Sequence, residues 1–274
     1  MTASPHQTPP TPPRPPAQSP LSIGLRHYPM TLVLLLICIG LFVWQVLSGV
    51  NASQPTSQDL LHWGANFLPY TLYNEPWRLF SSLLLHIGLM HLMFNMFALY
   101  YFGQVAERMF GSVNLLLLFI LSGLGGNLLN LALGWQALAL DELPVISAGA
   151  SGGIMGIGMA LLVTALLKTS INGIRLSTKS LLWVMAINLG YGFLVSGIDN
   201  AGHVGGAITG AILALLYIWQ YRDGTRHTQK GLPTRHGIVV AGYGVIIALF
   251  LATYWYLHHA FMALYNSQLA QMNI

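Results

Sequence analysis

The chain has 274 residues, of which 54% are hydrophobic and only 7% are charged, and its mean hydropathy is +0.61. A soluble domain carries about 25% charged residues, so this composition excludes an ordinary soluble protein and indicates a membrane-embedded chain. The net charge is +4, but the 11 basic residues are spread along the whole chain, which argues against a nucleic-acid-binding face. The single cysteine, Cys38, excludes a disulfide framework and a thiolate metal site.

Residues 1–28 are predicted to form a disordered cytoplasmic tail. Residues 1–20 hold eight of the fourteen prolines of the chain. Such a composition favours extended, solvated chain and cannot pack a core.

After the tail, the sequence predicts seven transmembrane helices, each long enough to cross about 30 Å of hydrocarbon. The predicted spans are 30–50, 82–103, 113–133, 150–168, 181–198, 203–221 and 238–260. Residues 51–80 are aromatic and mildly amphipathic, which favours a loop lying in the membrane interface. We therefore predict a core at 29–221, a basic linker at 222–237, and a seventh helix with a short outer tail at 238–274.

The basic residues predict the orientation, because they concentrate on the cytoplasmic side of membrane proteins. With a cytoplasmic amino terminus, ten of the eleven fall inside and only Arg78 falls outside. The ten inner residues are Arg14, Arg26, Arg108, Lys168, Arg175, Lys179, Arg222, Arg226, Lys230 and Arg235. Five of the seven acidic residues fall outside, and the carboxyl terminus is then also outside.

Polar side chains lie where the chain is apolar enough to be in lipid, and burying them there is costly. The stretch HIGLMHLMFNMF, residues 86–97, contains His86, His91 and Asn95, and the last two share a helix face because they are four residues apart. The stretch SAGASGGIMGIG, residues 147–158, places Ser151 among glycines. Both stretches lie near the outer end of a predicted span.

A third stretch, IDNAGHVGGAITG at residues 198–210, places His203, Gly206 and Gly210 on one helix face. Small residues on such a face let another helix approach closely. The imidazole of His203 would then reach the hydroxyl of Ser151, which gives the nucleophile and general base needed for acyl transfer. His91, Asn95 and the Ser151 N–H are candidate donors to the resulting oxyanion.

Structural alternatives remain open for each residue on its own. Ser151 can be a helix-packing residue and Asn95 an interhelical hydrogen-bond partner. The histidines can be interfacial residues, or metal or haem ligands, although no cysteine or acid accompanies His86 and His91. Asp199 can orient His203 or serve as a helix cap or turn residue.

The motifs together resemble the rhomboid intramembrane serine protease family over residues 60–220. The family pattern HxxxN is read as His91 to Asn95, and GxSG as Gly149 to Gly152. The pattern HxxGxxxG of the sixth span is read as His203, Gly206 and Gly210. Trp77 and Arg78 match a Trp-Arg motif of the first loop, and Glu107 falls where the family keeps a structural acid.

The resemblance implies an all-α membrane bundle of six helices, plus an additional helix as in six-plus-one bacterial members. It implies a Ser151–His203 dyad without an acid, and an oxyanion hole made by His91, Asn95 and the Ser151 N–H. Supporting roles follow for Gly149, Gly152, His86, Met155, Gly206, Gly210, Trp77, Arg78 and Glu107. Met155 departs from the family, which often has an aromatic ring there that stacks on the catalytic histidine.

The sequence thus predicts a serine endopeptidase that cleaves membrane-protein substrates in or next to their transmembrane helices, without metal or other cofactor. Its partners are these substrates and the lipid bilayer, not nucleic acid, and its expected location is the bacterial inner membrane with the active site open to the outer side. Two alternatives remain: a catalytically weak rhomboid-like protein that binds membrane clients, and a small-solute transporter. The seventh span contributes no chemical residue, and His258 and His259 at its outer end are interpreted as interfacial.

Overall fold

The computed structural model describes residues 27–194, 199–221 and 233–272. In these ranges the chain forms ten α-helices and one short 3-10 turn, Ser82–Leu84. The helices are α1 (Pro29–Leu47), α2 (Ser57–His62), α3 (Leu68–Tyr73), α4 (Arg78–Ser81), α5 (Leu89–Phe110), α6 (Ser112–Ala139), α7 (Ser151–Leu166), α8 (Thr178–Leu194), α9 (Asn200–Tyr221) and α10 (Pro233–Met272). Most of the predicted tail and residues 222–232 of the predicted linker lie outside the described residues.

Long helices occupy the positions of all seven predicted spans, namely α1 and α5 to α10. By length and apolar composition, four of the described helices can cross a membrane alone, and α5 makes a fifth when it is taken with the bent segment before it. Helix α7 has 16 residues, fewer than the roughly 20 that a lipid-exposed span needs. Most of its residues are buried among α5, α6 and α9, so this helix is shielded from lipid by protein.

The predicted second span, 82–103, is not one straight helix. Helix α5 begins at Leu89, and the segment Arg78–Leu84 meets it at 89°. The break covers residues 85–88, where Leu85 is extended and Gly88 has a φ of +131°, which is incompatible with a continued helix. His86 therefore lies in the break and not on the helix that carries His91.

Helix α10 extends beyond the predicted seventh span at both ends. Helix α10 has 40 residues, against the 23 of the predicted span 238–260. It includes the end of the predicted linker from Pro233 and continues through the predicted outer tail to Met272. At about 1.5 Å per residue it is about 60 Å long, roughly twice the hydrocarbon thickness.

The first loop, residues 51–80, contains α2, α3 and the start of α4, and Arg78 organises it. The buried Arg78 side chain donates from Nη1 to the carbonyls of Leu61 (2.7 Å) and Ala65 (3.0 Å), and its Nε pairs with Glu75. The guanidinium also lies 4.8 Å from the ring centre of Trp77. Trp77 and Arg78 thus hold the first loop together.

Glu107 anchors the opposite end of the bundle. Its buried carboxylate accepts from the backbone N–H groups of Met30 and Thr31 at 2.8 Å, from the Thr31 hydroxyl at 2.7 Å and from the Ser112 hydroxyl at 2.6 Å. The first N–H groups of a helix have no partner within the helix. Glu107 therefore satisfies the start of α1 and ties it to α5 and α6.

Helices α6, α7 and α9 pack with their backbones in contact. A side chain at Gly206 or Gly210 of α9 would collide with the backbone of Gly152 or Gly156 of α7. Gly126 of α6 faces the backbone of α9 in the same way. This contact brings the beginnings of α7 and α9 together, and these carry Ser151 and His203.

Candidate active site

Ser151 is the first residue of α7, so its backbone N–H has no partner within the helix and can serve a ligand. The preceding residues are held in place by backbone pairing. The N–H of Ser147 donates to the carbonyl of Asn66 at 2.8 Å, and the N–H of Asn66 donates back at 2.9 Å. We call residues 147–151 the serine loop.

Gly149 brings two candidate groups to one point. Its φ is +147°, and its N–H donates to the carbonyl of Ser82 at 2.9 Å. A Cβ at this position would lie 2.7 Å from Cε1 and 3.2 Å from Nε2 of His91, and 3.5 Å from Oγ of Ser151. The ring of His91 and the hydroxyl of Ser151 therefore border the same small volume.

His91 and Asn95 form a buried pair on α5. Their side chains are joined by a hydrogen bond of 3.0 Å between His91 Nε2 and Asn95 Nδ2 as assigned. The backbone N–H of Ile87 donates to Nδ1 of His91 at 3.4 Å, which favours the tautomer with the proton on Nε2. The amide of Asn95 then turns its oxygen to Nε2, because N and O of an amide are assigned from such partners. The Nδ2 hydrogens of Asn95 are then free for a ligand, whereas the Nε2–H of His91 is bonded to the Asn95 oxygen.

His203 lies in the second turn of α9 and is buried. It lines a cavity of about 10 Å³ with residues of α5, α7 and α8. The lining residues are His91, Phe94, Asn95, Ser151, Ile154, Met155, Asn188 and His203. Such a space has about the size of one water molecule.

The hydrogen bond of the proposed dyad is not made in this structure. Neither ring nitrogen of His203 has a hydrogen-bond partner within the described part of the chain. Catalytic hydrogen bonds are often long without substrate and tighten when it binds. The two side chains line the same cavity without being hydrogen-bonded to each other.

Asp199 directly precedes α9, and its backbone carbonyl accepts from the N–H of His203 at 3.3 Å. Its side chain lines a second cavity of about 10 Å³ together with Ser147 and Ser151. No hydrogen bond joins this carboxylate to the imidazole, since both ring nitrogens are unpaired among the described residues. The geometry thus gives no support to an orienting role for Asp199.

His86 is buried in the break before α5, with its ring centre 5.5 Å from that of His91. Neither of its nitrogens makes a hydrogen bond of good geometry within the described ranges. Its position is beside the oxyanion candidates and not in the cavity between Ser151 and His203.

The sequence interpretation missed a set of buried amides behind the serine loop. Asn127 of α6 donates to the carbonyl of Leu79 and to the hydroxyl of Ser82, both at 2.8 Å, and accepts from Ser147 at 3.2 Å. Asn130, one turn later, accepts from Asn66 at 3.1 Å. The signal was the NLLN pattern at residues 127–130, two amides on one face of an apolar helix.

Gly192 of α8 was missed as well. A Cβ there would lie 3.1 Å from both Nδ1 and Cε1 of His203, so the imidazole packs directly on the backbone of α8. The amide of Asn200 also donates to the carbonyl of Gly192 at 3.3 Å. Nothing in the local sequence of Gly192 indicated this contact.

The predicted residues thus fall into two groups. Around the two small cavities lie Ser151, His203, His91, Asn95, Gly149, Gly152 and Met155. Gly206 and Gly210 lie at the helix contact behind them, while Trp77, Arg78 and Glu107 line neither cavity. In the ranges that the structure covers, no three His, Cys, Asp or Glu side chains are grouped closely enough to hold a metal ion.

The chain matches the Rhomboid domain family model over residues 73–220, more than half of its length. It is 34% identical over 226 residues to Rhomboid protease AarA of Providencia stuartii, which covers 73% of this chain and 79% of AarA. It is 35% identical over 184 residues to Rhomboid protease GluP of Bacillus subtilis (strain 168), covering 67% of this chain and 34% of GluP.

RHOMBOID-like protein 6, mitochondrial, of Arabidopsis thaliana is 38% identical over 152 residues, covering 55% of this chain and 47% of that protein. The chain thus spans about a third of GluP and about half of the Arabidopsis protein. The apolar helices and these matches confirm the predicted all-α, multi-pass membrane fold. The chain belongs to the rhomboid family.

Proposed function

We propose that this protein is an intramembrane serine endopeptidase that uses Ser151 as nucleophile and His203 as general base. The observation that carries the proposal is the small buried cavity that Ser151, His203, His91 and Asn95 line together. These side chains come from three different helices, α5, α7 and α9. Their convergence supplies a nucleophile, a base and oxyanion donors at one point.

In the first half-reaction, Nε2 or Nδ1 of His203 takes the proton of the Ser151 hydroxyl as Oγ attacks the substrate carbonyl carbon. The carbonyl oxygen becomes an oxyanion beside the Ser151 N–H and the Asn95 amide, and the Nε2–H of His91 donates to it by exchanging its bond to the Asn95 oxygen for one to the oxyanion. Preorganised donors of this kind are worth roughly 3–4 kcal/mol each. The imidazolium of His203 then protonates the leaving amine, and an ester of Ser151 remains.

In the second half-reaction, a water molecule attacks the Ser151 ester while His203 accepts one of its protons. Collapse of the tetrahedral intermediate breaks the bond to Oγ, which takes the proton back from His203. The products are a new carboxylate, a new amine and the free enzyme. The cavity beside Ser151 has about the room that this water needs.

The substrates we propose are membrane proteins cleaved in or next to a transmembrane helix. A helical peptide bond is hydrogen-bonded and shielded, so the cut segment must unwind. Helix-breaking Gly or Pro near the cut, and small side chains before it, therefore favour cleavage. Phe94 of α5 and Asn188 of α8 border the cavity, and the first loop and α8 are the proposed route of access.

We further propose that the protein resides in a bacterial inner membrane with a cytoplasmic amino terminus. The support is the distribution of basic residues, of which ten of eleven fall on one side. The active site then opens to the outer side, where water reaches Ser151.

The test reconstitutes the full chain in liposomes with a single-span substrate that carries small and helix-breaking residues in its outer segment. Wild type, Ser151→Ala and His203→Ala are compared for fragment release, with and without a chelator. Ser180→Ala and His62→Ala, both at exposed positions, are the matched controls. We expect cleavage by wild type and both controls, indifferent to chelator, and none by the two site variants.

A second candidate, a client-binding protein with weak catalysis, is favoured by the unmade Ser151–His203 bond and by Met155 in place of a stacking ring. A thioether packs against imidazole but orients the ring less firmly. Equal substrate binding by all proteins without cleavage would replace the protease with this candidate. Cleavage that survives both site substitutions would overturn the site assignment.

A further inference from the structure

We propose that the seventh helix, α10, positions Ser151 through the first loop, with Tyr254 and His258 as positioning residues. This inference rests on the proposed function. Neither residue touches the two small cavities of the site. Their influence instead passes through α3 and Asn66 to the serine loop.

The first step is the contact between α10 and α3. The Tyr254 hydroxyl donates to the carbonyl of Thr71 at 3.2 Å, and Nδ1 of His258 donates to the carbonyl of Leu72 at 2.7 Å. These carbonyls lie in the last turn of α3, where a helix leaves its carbonyls without internal partners. Leu257, between the two side chains, is buried in the same cluster as Leu72. The polar end of α3 is thus bound by α10.

The second step links α3 to the serine loop. The Thr71 hydroxyl donates to Oδ1 of Asn66 at 2.8 Å, and both residues are completely buried. The backbone of Asn66 then exchanges two hydrogen bonds with Ser147, four residues before Ser151. Hydrogen bonds therefore connect the outer part of α10 with the segment that holds the nucleophile.

The third step is the fixed position of α10 itself. Nearer its amino end, the hydroxyl of Tyr243 bonds to Oδ1 of Asn114 and to the hydroxyl of Tyr217, both at 2.8 Å. Asn114 belongs to α6 and Tyr217 to α9. Helix α10 is therefore hydrogen-bonded to the core nearer its amino end and to the first loop farther along. It can thus hold the first loop in a fixed place relative to the core helices.

Position matters here because the Ser151–His203 hydrogen bond is not made in the resting structure. A displacement of about 1 Å at a catalytic group can cost roughly 100-fold in rate. A serine loop that is less firmly held would reach the bonded geometry less often. Loss of the α10 contacts should then lower kcat without weakening substrate binding.

The experiment uses the full chain in liposomes and four α10 variants. Tyr254→Phe removes only the hydroxyl, and His258→Leu removes the donor, alone and combined. His258→Asn keeps an N–H close to the place of Nδ1 and is the rescue variant. Tyr256→Phe and His259→Leu, at exposed positions of the same helix, are matched controls.

Four quantities are measured at a temperature well below unfolding: Ser151 labelling by a small fluorophosphonate, kcat, KM and amide hydrogen exchange at Asn66 and Ser147. For the double variant we expect labelling and kcat to fall roughly fivefold to tenfold, the size expected for lost hydrogen bonds. Exchange at both amides should accelerate and KM should stay unchanged. His258→Asn should restore the single-site loss, and both controls should match wild type.

If the double variant shows unchanged labelling and exchange, or only a lower Tm, then α10 contributes to stability alone and the proposal is overturned. A higher KM with unchanged labelling would assign the first loop to substrate docking and overturn it as well. Absence of Ser151-dependent labelling in wild type would instead refute the proposed function. In that case the exchange rates of the Asn66 and Ser147 amides would alone show whether α10 is coupled to the serine loop.

Discussion

A methyl group added at Gly149 would collide with the ring of His91. The residue combines a positive φ with a position against both His91 and Ser151, and no other residue type satisfies both demands. The GxSG pattern indicated a close approach here. It did not indicate that His91 was the neighbour, because that contact joins residues 58 positions apart.

We predict that Gly149→Ala lowers the cleavage rate at least roughly 100-fold, since its Cβ would displace the ring of His91 and its positive φ would strain the backbone two residues before Ser151. The measurement is fragment release in liposomes together with thermal unfolding. Gly40→Ala is the control, because Gly40 lies in α1 with open space around its Cβ position. Equal rates for both variants would show that the tight contact at Gly149 has no catalytic importance.

We predict that Asn95→Ala lowers kcat roughly 100- to 1,000-fold with little effect on KM, as expected when an oxyanion donor is lost. Asn188→Ala is the matched control, since Asn188 lines the same cavity but bonds to the carbonyl of Val184 on its own helix. Steady-state kinetics on the single-span substrate separate kcat from KM. A similar loss in both variants would mean that cavity shape, not the Asn95 donor, controls the rate.

At the scale of single helices, two of them depend on other parts of the chain for their stability. Helix α1 is mostly apolar, but its first turn needs the carboxylate of Glu107, 76 residues away from Thr31. Helix α7 is too short for a lipid-exposed span and depends on its neighbours for cover. Neither α1 nor α7 would therefore be stable without contacts from other helices.

We predict that Glu107→Ala lowers stability by about 3 kcal/mol, because it leaves buried N–H donors of α1 without an acceptor. Activity per folded molecule should change little, since Glu107 lines neither small cavity of the site. Unfolding in detergent and liposome cleavage are measured together, with the exposed Glu142→Ala as control. Lost activity with unchanged stability would assign Glu107 a direct role in the site.

The sequence predicted the elements better than their limits. Apolar runs located every long helix, and motif spacing selected Ser151, His203, His91 and Asn95, which the fold brings to one small cavity. The break at Gly88 was missed, because the residues on both sides of it are apolar. The amides Asn66, Asn127 and Asn130 were missed because their partners are distant in the chain, and only the fold brings them together.

At the scale of the whole molecule, α10 extends beyond the core. A prediction based on apolar character ends a helix at the edge of the hydrocarbon, whereas α10 continues to Met272 with mixed polar and apolar residues. Helix α10 is about 60 Å long and exceeds the thickness of the bilayer core by about 30 Å. Part of it must therefore lie in water or in the membrane interface.

We predict that Ser267→Cys is labelled by a membrane-impermeant maleimide from the outer side in intact cells, whereas Leu251→Cys is not. Ser267 is exposed near the carboxyl end of α10, which the proposed orientation places outside, and Leu251 is exposed within the predicted span 238–260. The native Cys38 is fully buried and gives no background. Labelling of Ser267→Cys only after the membrane is opened would reverse the proposed orientation.

The backbone contact between α7 and α9 also bears on how this protein tolerates mutation. The spacing of Ser151 and His203 is set by main-chain atoms, which all residue types share, and not by side chains that must fit one another. Lipid-facing positions are then free to drift, while Gly206 and Gly210, where an added Cβ would collide with a backbone oxygen of α7, tolerate no substitution. A mutational scan should therefore show that substitutions are broadly accepted along these helices, except at a few glycine positions.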